Sequence, residues 1–130
     1  MKADIKKRWT DALRSGEFKQ TMHVLHKKFA DGSEGYCCLG VLCKLAADDG
    51  VCVAETRTTP YDGTVVMYGS ESSALNDAVL PNVVMEWAGL DSADPALITD
   101  PFDGPYSASG MNDGMEASFN EIADAIEKVL

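Results

Sequence analysis

Four cysteines and two histidines are the side chains best suited to nucleophilic or metal chemistry. They are Cys37, Cys38, Cys43, Cys52, His23 and His26. Their spacing matches no standard zinc pattern and includes no Cys-x-x-Cys, and adjacent cysteines pair poorly in a disulfide. A Cys–His nucleophilic pair stays open, because such partners meet in space rather than in sequence. Apolar neighbours, however, raise the pKa of a thiol and keep it inert. We therefore predict free structural cysteines, no metal or other cofactor, and no enzymatic activity.

A second set of residues has the chemistry needed to hold an anion. The candidate ligand-binding residues are Lys19, Gln20, His23, Tyr36, Arg57, Asn112 and Asp113. They could supply hydrogen bonds and stacking. A plainer reading stays open for each, with Gln20 and Asn112 as turn or backbone partners and Tyr36 as an aromatic at the edge of the core. The carboxylates of residues 91–113 do not fit a calcium loop.

The run from Tyr36 to Leu45 is the centre of the chain, because its ten residues include only one charge, Lys44. Such a run belongs in a protein interior. Its small residues predict a helix over 38–48, with Gly50 after its end. Apolar residues lie all around this helix axis, so neighbours must cover it on several sides.

Three further helices are predicted from apolar residues spaced three and four apart, at 3–15, 81–88 and 118–129. Pro81 suits the first turn of its helix, and Gly89 with Leu90 resembles a Schellman-type end. Ser118 and Glu121 form a capping box.

The β-structure is predicted from alternation and turn chemistry. A strand at 18–25 would turn at 30–33 and return at 34–37 as a hairpin. Residues 51–53 and 64–68 would form a second antiparallel pair around a turn at 60–63. Residues 69–77 and 91–113 are expected to be loops, the second with Leu97, Ile98 and Phe102 as anchors. The prediction is one α+β domain over 1–130, with about four helices around a buried central helix and a small antiparallel sheet.

Charge is unevenly distributed along this acidic chain, whose net charge is −10. Residues 1–30 carry eight lysines or arginines and three carboxylates, a net charge of +5, whereas residues 31–130 carry a net charge of −15. We expect the basic segment to pack beside acidic ones, in the same chain or in a partner subunit, so a homo-oligomer stays open. The protein as a whole should be repelled by nucleic-acid phosphates. No apolar run approaches the ~20 residues of a membrane span and no signal pattern opens the chain, which favours a soluble protein.

Five segments together resemble a known family. They are Trp9–Gln20, the run Tyr36-Cys-Cys-Leu-Gly-Val-Leu-Cys43, Leu80–Leu90, Met111-Asn-Asp-Gly114 and Ser118–Glu127. The resemblance is to small proteins encoded by tailed bacteriophages, most of them hypothetical proteins. That family usually has leucine where this chain has Met111, and residues 51–78 carry no resemblance. Membership implies a phage accessory protein acting in the host bacterial cytoplasm, without an established activity.

Two functions from different classes follow as hypotheses. The first is a non-catalytic accessory protein that counteracts host defence by sequestering a small anionic, nucleotide-like signal. The second is an acidic inhibitor or DNA mimic that blocks a host nucleic-acid-binding protein. Salt dependence separates them, because a mimic's affinity should fall steeply with ionic strength whereas a buried pocket should be less sensitive.

Overall fold

The α-helices in residues 1–60, 63–100 and 104–130, which the structure describes, follow the predicted ranges closely. They are α1 Ala3–Arg14, α2 Cys38–Asp48, α3 Asn82–Ala88 and α4 Phe119–Val129. The strands are β1 Lys19–Gln20, β2 His26–Lys28, β3 Glu34–Tyr36, β4 Val53–Thr59, β5 Gly63–Gly69, β6 Ala96–Asp100 and β7 Gly104–Ser107. A π-helix, Gly110–Gly114, precedes α4. This computed structural model is therefore of the predicted α+β class.

Five strands form one mixed sheet in the order β1-β3-β2-β5-β4. The predicted antiparallel pairing of residues 51–53 with residues 64–68 is confirmed. Strands β4 and β5 pair antiparallel from Val53 opposite Gly69 to Thr59 opposite Gly63. Tyr61 and Asp62, in the predicted turn between them, lie outside the described residues. The sheet is not purely antiparallel as predicted, because β1 runs parallel to β3.

The predicted strand at 18–25 is wrong. The strand ends at Gln20, and β3 pairs antiparallel with β2 instead, so the hairpin partner lies further along the chain. The chain leaves the strand at Thr21, whose carbonyl accepts a hydrogen bond of 2.8 Å from the Asn112 side chain. His23 then adopts a left-handed φ of 72°. Side chains of the π-helix thus satisfy backbone groups that a continuing strand would have paired.

Helix α2 has seven buried residues: Cys38, Leu39, Gly40, Val41, Leu42, Cys43 and Ala46. At Gly40 it lies tightly against the segment before β2, because an added Cβ would lie 1.6 Å from the Leu25 carbonyl oxygen. The backbone N–H of Cys37 donates to the same carbonyl at 3.1 Å. Only glycine fits position 40 without displacing that backbone.

Helices α1 and α4 lie together, joined by opposite charges as the charge asymmetry predicted. Arg14 contacts Asp124 and Glu127 at 2.6 Å each, and Arg8 contacts Asp49, just after α2, at 2.8 Å. The predicted capping box at the start of α4 is confirmed. Each of these exposed ion pairs contributes little to the free energy of unfolding.

Residues 91–113 are more ordered than the predicted loop. Strands β6 and β7 form a separate two-stranded antiparallel sheet, and the π-helix follows. Leu97 is buried, whereas Phe102 lies outside the described residues. The end of α3 is as predicted, because Gly89 has a φ of 73° and the Leu90 N–H donates to the Met85 carbonyl. Pro81, however, is the N-cap residue rather than the first helical one.

Candidate functional site

A cleft of about 340 Å³ lies between one face of the mixed sheet and α2. Register pairs His26–Tyr36, Lys28–Glu34, Thr56–Val66 and Ala54–Tyr68 place eight of its lining residues on one face, because directly opposed residues on neighbouring strands share a face. Lys44 and Ala47 of α2 complete the lining. We call this the His26 cleft.

His26 lies at the base of this cleft, 5% exposed, with both ring nitrogens in hydrogen bonds. Nε2 is 2.9 Å from a Glu34 carboxylate oxygen, and Nδ1 is 2.8 Å from the Tyr68 hydroxyl. The carboxylate only accepts, so Nε2 carries a proton and donates to it. In the neutral ring, Nδ1 is then the acceptor for the Tyr68 hydroxyl. Geometry therefore fixes one tautomer and orders the chain Tyr68–His26–Glu34.

Burial lowers the pKa of His26 below its ordinary value of 6.5, although hydrogen bonding and charge attraction from Glu34 oppose this shift. Lys28 and Lys44 also lower the pKa of His26, because a nearby positive charge disfavours the imidazolium. Neutral histidine is thus the stable form at physiological pH.

The floor of the cleft is aromatic and uncharged. The Tyr36 ring stacks on His26 with 4.0 Å between centroids, and the Tyr68 ring is 6.0 Å away on a nearly parallel plane. Burial raises the pKa of Tyr36 to about 12 and also raises the pKa of Tyr68. Both phenols therefore stay protonated at physiological pH.

Lys28, Lys44 and Glu34 provide the formal charges that line the cleft. Glu34 is engaged by His26, and Lys44 contacts Asp48 one helical turn away at 2.6 Å. An exposed i,i+4 pair of this kind is weak and can be exchanged for a ligand. Two ammonium groups beside this buried aromatic cluster can hold a small anion.

Three of the sequence-predicted residues come together away from this cleft, where they hold the fold. Gln20 Nε2 donates to Asn112 Oδ1 at 2.9 Å, and the fully buried Asn112 amide also donates to Asp113. Asn112 Oδ1 additionally accepts from the Cys38 N–H at 3.3 Å. With its bond to Thr21, Asn112 makes four hydrogen bonds, which is its full capacity. Its role is to tie the π-helix to β1 and to the start of α2.

Of the other predicted residues, His23 joins this group through Asp113, whereas Lys19, Tyr36 and Arg57 do not contact it through side-chain hydrogen bonds. His23 is exposed, and its N–H donates to Asp113 at 3.1 Å. Tyr36 is the one predicted residue that lines the His26 cleft. Lys19 and Arg57 lie on opposite edge strands of the mixed sheet, four strand spacings or about 19 Å apart. Lys19 and Arg57 therefore do not converge on one ligand site.

Apart from Tyr36, sequence reasoning missed the charged and aromatic residues that line the cleft: His26, Lys28, Glu34, Lys44 and Tyr68. The signal was the period of two at 26 and 28 and again at 34 and 36, which would have placed those side chains on one face. Assigning the strand to 18–25 left His26 outside it.

All four cysteines are free and buried, as predicted. Burial raises the pKa of Cys37 and of Cys52 to about 11, and also raises the pKa values of Cys38 and Cys43. The thiol of Cys38 donates to the Ala108 carbonyl rather than to a histidine. Over the described ranges, no three His, Cys, Asp or Glu side chains group as metal ligands.

Fold and cleft together define a small single-domain α+β protein with a polar cleft against one face of a mixed sheet. The chain belongs to a family described as a domain of unknown function, DUF8296, whose model matches residues 1–130. No curated protein and no solved structure matches the chain. Within residues 1–60, 63–100 and 104–130, no helix has the length and apolar character to span a bilayer.

Proposed function

We propose that this protein binds a small anionic, nucleotide-like ligand in the His26 cleft, without turning it over. One observation supports this most directly: Lys28 and Lys44 line the same cleft above the aromatic floor of Tyr36, Tyr68 and His26. The lysines would contact the anionic groups. The aromatic rings, which stack on one another and are at most 7% exposed, would form the bottom of the site.

Because the protein is acidic overall, binding of an anion depends on hydrogen-bond donors inside the cleft. At a net charge of −10, the protein repels anions at long range, so a bound anion needs donors placed at its contact point. Lys28 has no carboxylate within 4.0 Å among the described residues, and Lys44 has only an exposed one. A ligand can therefore replace a weak contact rather than break a buried one.

The biological role we propose rests on the resemblance to small phage proteins. A binder without catalytic groups would counteract host defence by sequestering a nucleotide signal in the host bacterial cytoplasm. In this proposal α2 is the central helix around which the other helices pack, so the cleft has a fixed wall. A rigid wall lowers the entropic cost of binding.

The test is calorimetry against a panel of cyclic dinucleotides and ADP-ribose-derived nucleotides. Lys28→Gln should weaken binding of a hit by about fivefold to tenfold, and adding Lys44→Gln should remove it, since a charge-assisted hydrogen bond is worth about 1.5–3 kcal/mol before solvent screening. Lys27→Gln is the matched control. It makes the same charge change one residue away, on the opposite face of β2, and should leave affinity unchanged.

The acidic-inhibitor hypothesis predicts a different result. It needs a carboxylate surface open to a basic partner, yet Asp49, Asp124 and Glu127 already contact arginines of α1. No binding across the panel at high micromolar concentration, together with a host protein recovered in a salt-sensitive pull-down, would replace the ligand proposal with this one.

A further inference from the structure

Three cationic side chains lie in a single row across the sheet face opposite the His26 cleft. Strand register connects Lys19 to Gly35, Gly35 to Lys27, Lys27 to Val65 and Val65 to Arg57. Register partners share a face, so Lys19, Lys27 and Arg57 lie on one line perpendicular to the strands. We call these three residues the cation row. Successive members are two strand spacings apart, about 10 Å.

No member of the cation row has a carboxylate within 4.0 Å among residues 1–60, 63–100 and 104–130. Glu55 lies on the same face two residues before Arg57, and Asp31 is near enough to Lys19 for that lysine to help lower its pKa. The face therefore keeps a positive excess in a protein that is strongly negative overall. Cations without a close carboxylate, with Lys19 and Arg57 exposed and Lys27 half-buried, are an electrostatic complement to an acidic partner.

The surface beside the cation row distinguishes two kinds of negatively charged partner, an acidic protein and a nucleic acid. The Phe29 ring lies over Gly35, where an added Cβ would be 3.0 Å from the ring. The ammonium groups of Lys19 and Lys27 lie 4.3 and 5.8 Å from the centre of that ring. Because lysines already occupy the ring, it offers no open stacking platform for a nucleic-acid base. Three cations would also neutralise few phosphates against a body that repels the rest.

We infer that the cation row binds an extended acidic segment of a partner protein, with carboxylates at every third residue. In the polyproline II form of an extended segment, three residues make one turn and each rises about 3.1 Å. Side chains three apart therefore lie on the same side and recur at about 9 Å, close to the spacing of the row. Val53, 60% exposed on the same face of β4, adds apolar surface at the side of this contact. This inference is independent of the ligand proposed for the His26 cleft.

A peptide titration followed by NMR of the isotope-labelled protein tests the inference. The probe is a nine-residue peptide of serines with glutamate at positions two, five and eight. Its isomer carries three adjacent glutamates. We expect the spaced peptide to shift the amide signals of Gly35 and Val65 and to bind several-fold tighter than the isomer. Lys27→Gln should weaken binding about two- to fivefold, as for one exposed ion pair, and the triple variant with Lys19→Gln and Arg57→Gln should abolish it.

Lys28→Gln is the control, because it makes the same charge change on the cleft face and should bind the peptide like wild type. Equal losses in the Lys27 and Lys28 variants would mean a general charge effect and would overturn the inference. So would equal binding of the two peptides. Tighter, Lys27-dependent binding of an oligothymidylate would replace the acidic protein partner with nucleic acid. If the acidic peptide does not bind, the nucleotide-binding proposal is unaffected, because nucleotide binding depends on Lys28.

Discussion

The two faces of the mixed sheet use similar residues in opposite ways. On the cleft face, His26 and Tyr68 are buried and joined by a hydrogen bond of 2.8 Å. On the outer face, a small cluster of Val24, Val65 and Met67 is buried beside the cation row, in which Lys19 and Arg57 are exposed and Lys27 is half-buried. Lys27 and Lys28 are adjacent in sequence, yet one belongs to the cation row and the other to the His26 cleft.

This difference teaches that net charge predicts little about where an anion can bind. Strand alternation distributes the basic residues of the first thirty between two faces and α1. On the cleft face, low local dielectric strengthens each polar contact, whereas on the outer face water screens it. A pocket and a docking surface can therefore arise from neighbouring residues of one strand.

The largest expected loss of stability follows substitution of Gly40, the glycine that lets α2 pack against Leu25. Gly40→Ala should destabilise the protein by on the order of 4 kcal/mol or more, because its Cβ would lie 1.6 Å from the Leu25 carbonyl oxygen. Chemical denaturation measures this loss. Gly114→Ala is a suitable control, since an added Cβ there has no neighbour within 4 Å among the described residues. Equal stability of wild type and Gly40→Ala would mean that the close approach of α2 to Leu25 does not exist.

A second prediction compares the apolar support of the two faces. Leu42 is fully buried in α2, and Leu42→Ala should cost about 2–5 kcal/mol by opening a cavity. Met67 belongs to the small outer cluster and is 9% exposed. Met67→Ala should cost less, about 1–2 kcal/mol as for most single substitutions, because a site near the surface can collapse more easily than one in the core. Urea denaturation midpoints give both values, and equal costs would contradict a dominant core on the α2 side.

Long periodic elements were predictable from the sequence for a physical reason. Helix α4 combines a capping box with an apolar stripe, so local and tertiary preferences agree. Strand β1, with only two residues, could not be predicted because its end depends on Asn112, ninety-two positions after Gln20. The cleft was missed for the same reason. The hydrogen-bonded residues His26 and Tyr68 lie 42 residues apart and meet only through strand pairing.

The smallest expected effect is a pH dependence that arises on the cleft face alone. Burial holds the pKa of His26 below 6.5, so the unfolded chain binds a proton at a higher pH than the folded protein does. Stability from this residue is therefore present above pH 6.5 and is lost as pH falls below it, until the folded-state pKa is reached. His26→Gln should remove that part of the slope, even if its overall stability is lower. Denaturation midpoints for both proteins, measured in steps between pH 7.5 and pH 5, provide the comparison. The same slope in wild type and His26→Gln would show that carboxylates elsewhere, rather than the buried imidazole, cause the acid sensitivity.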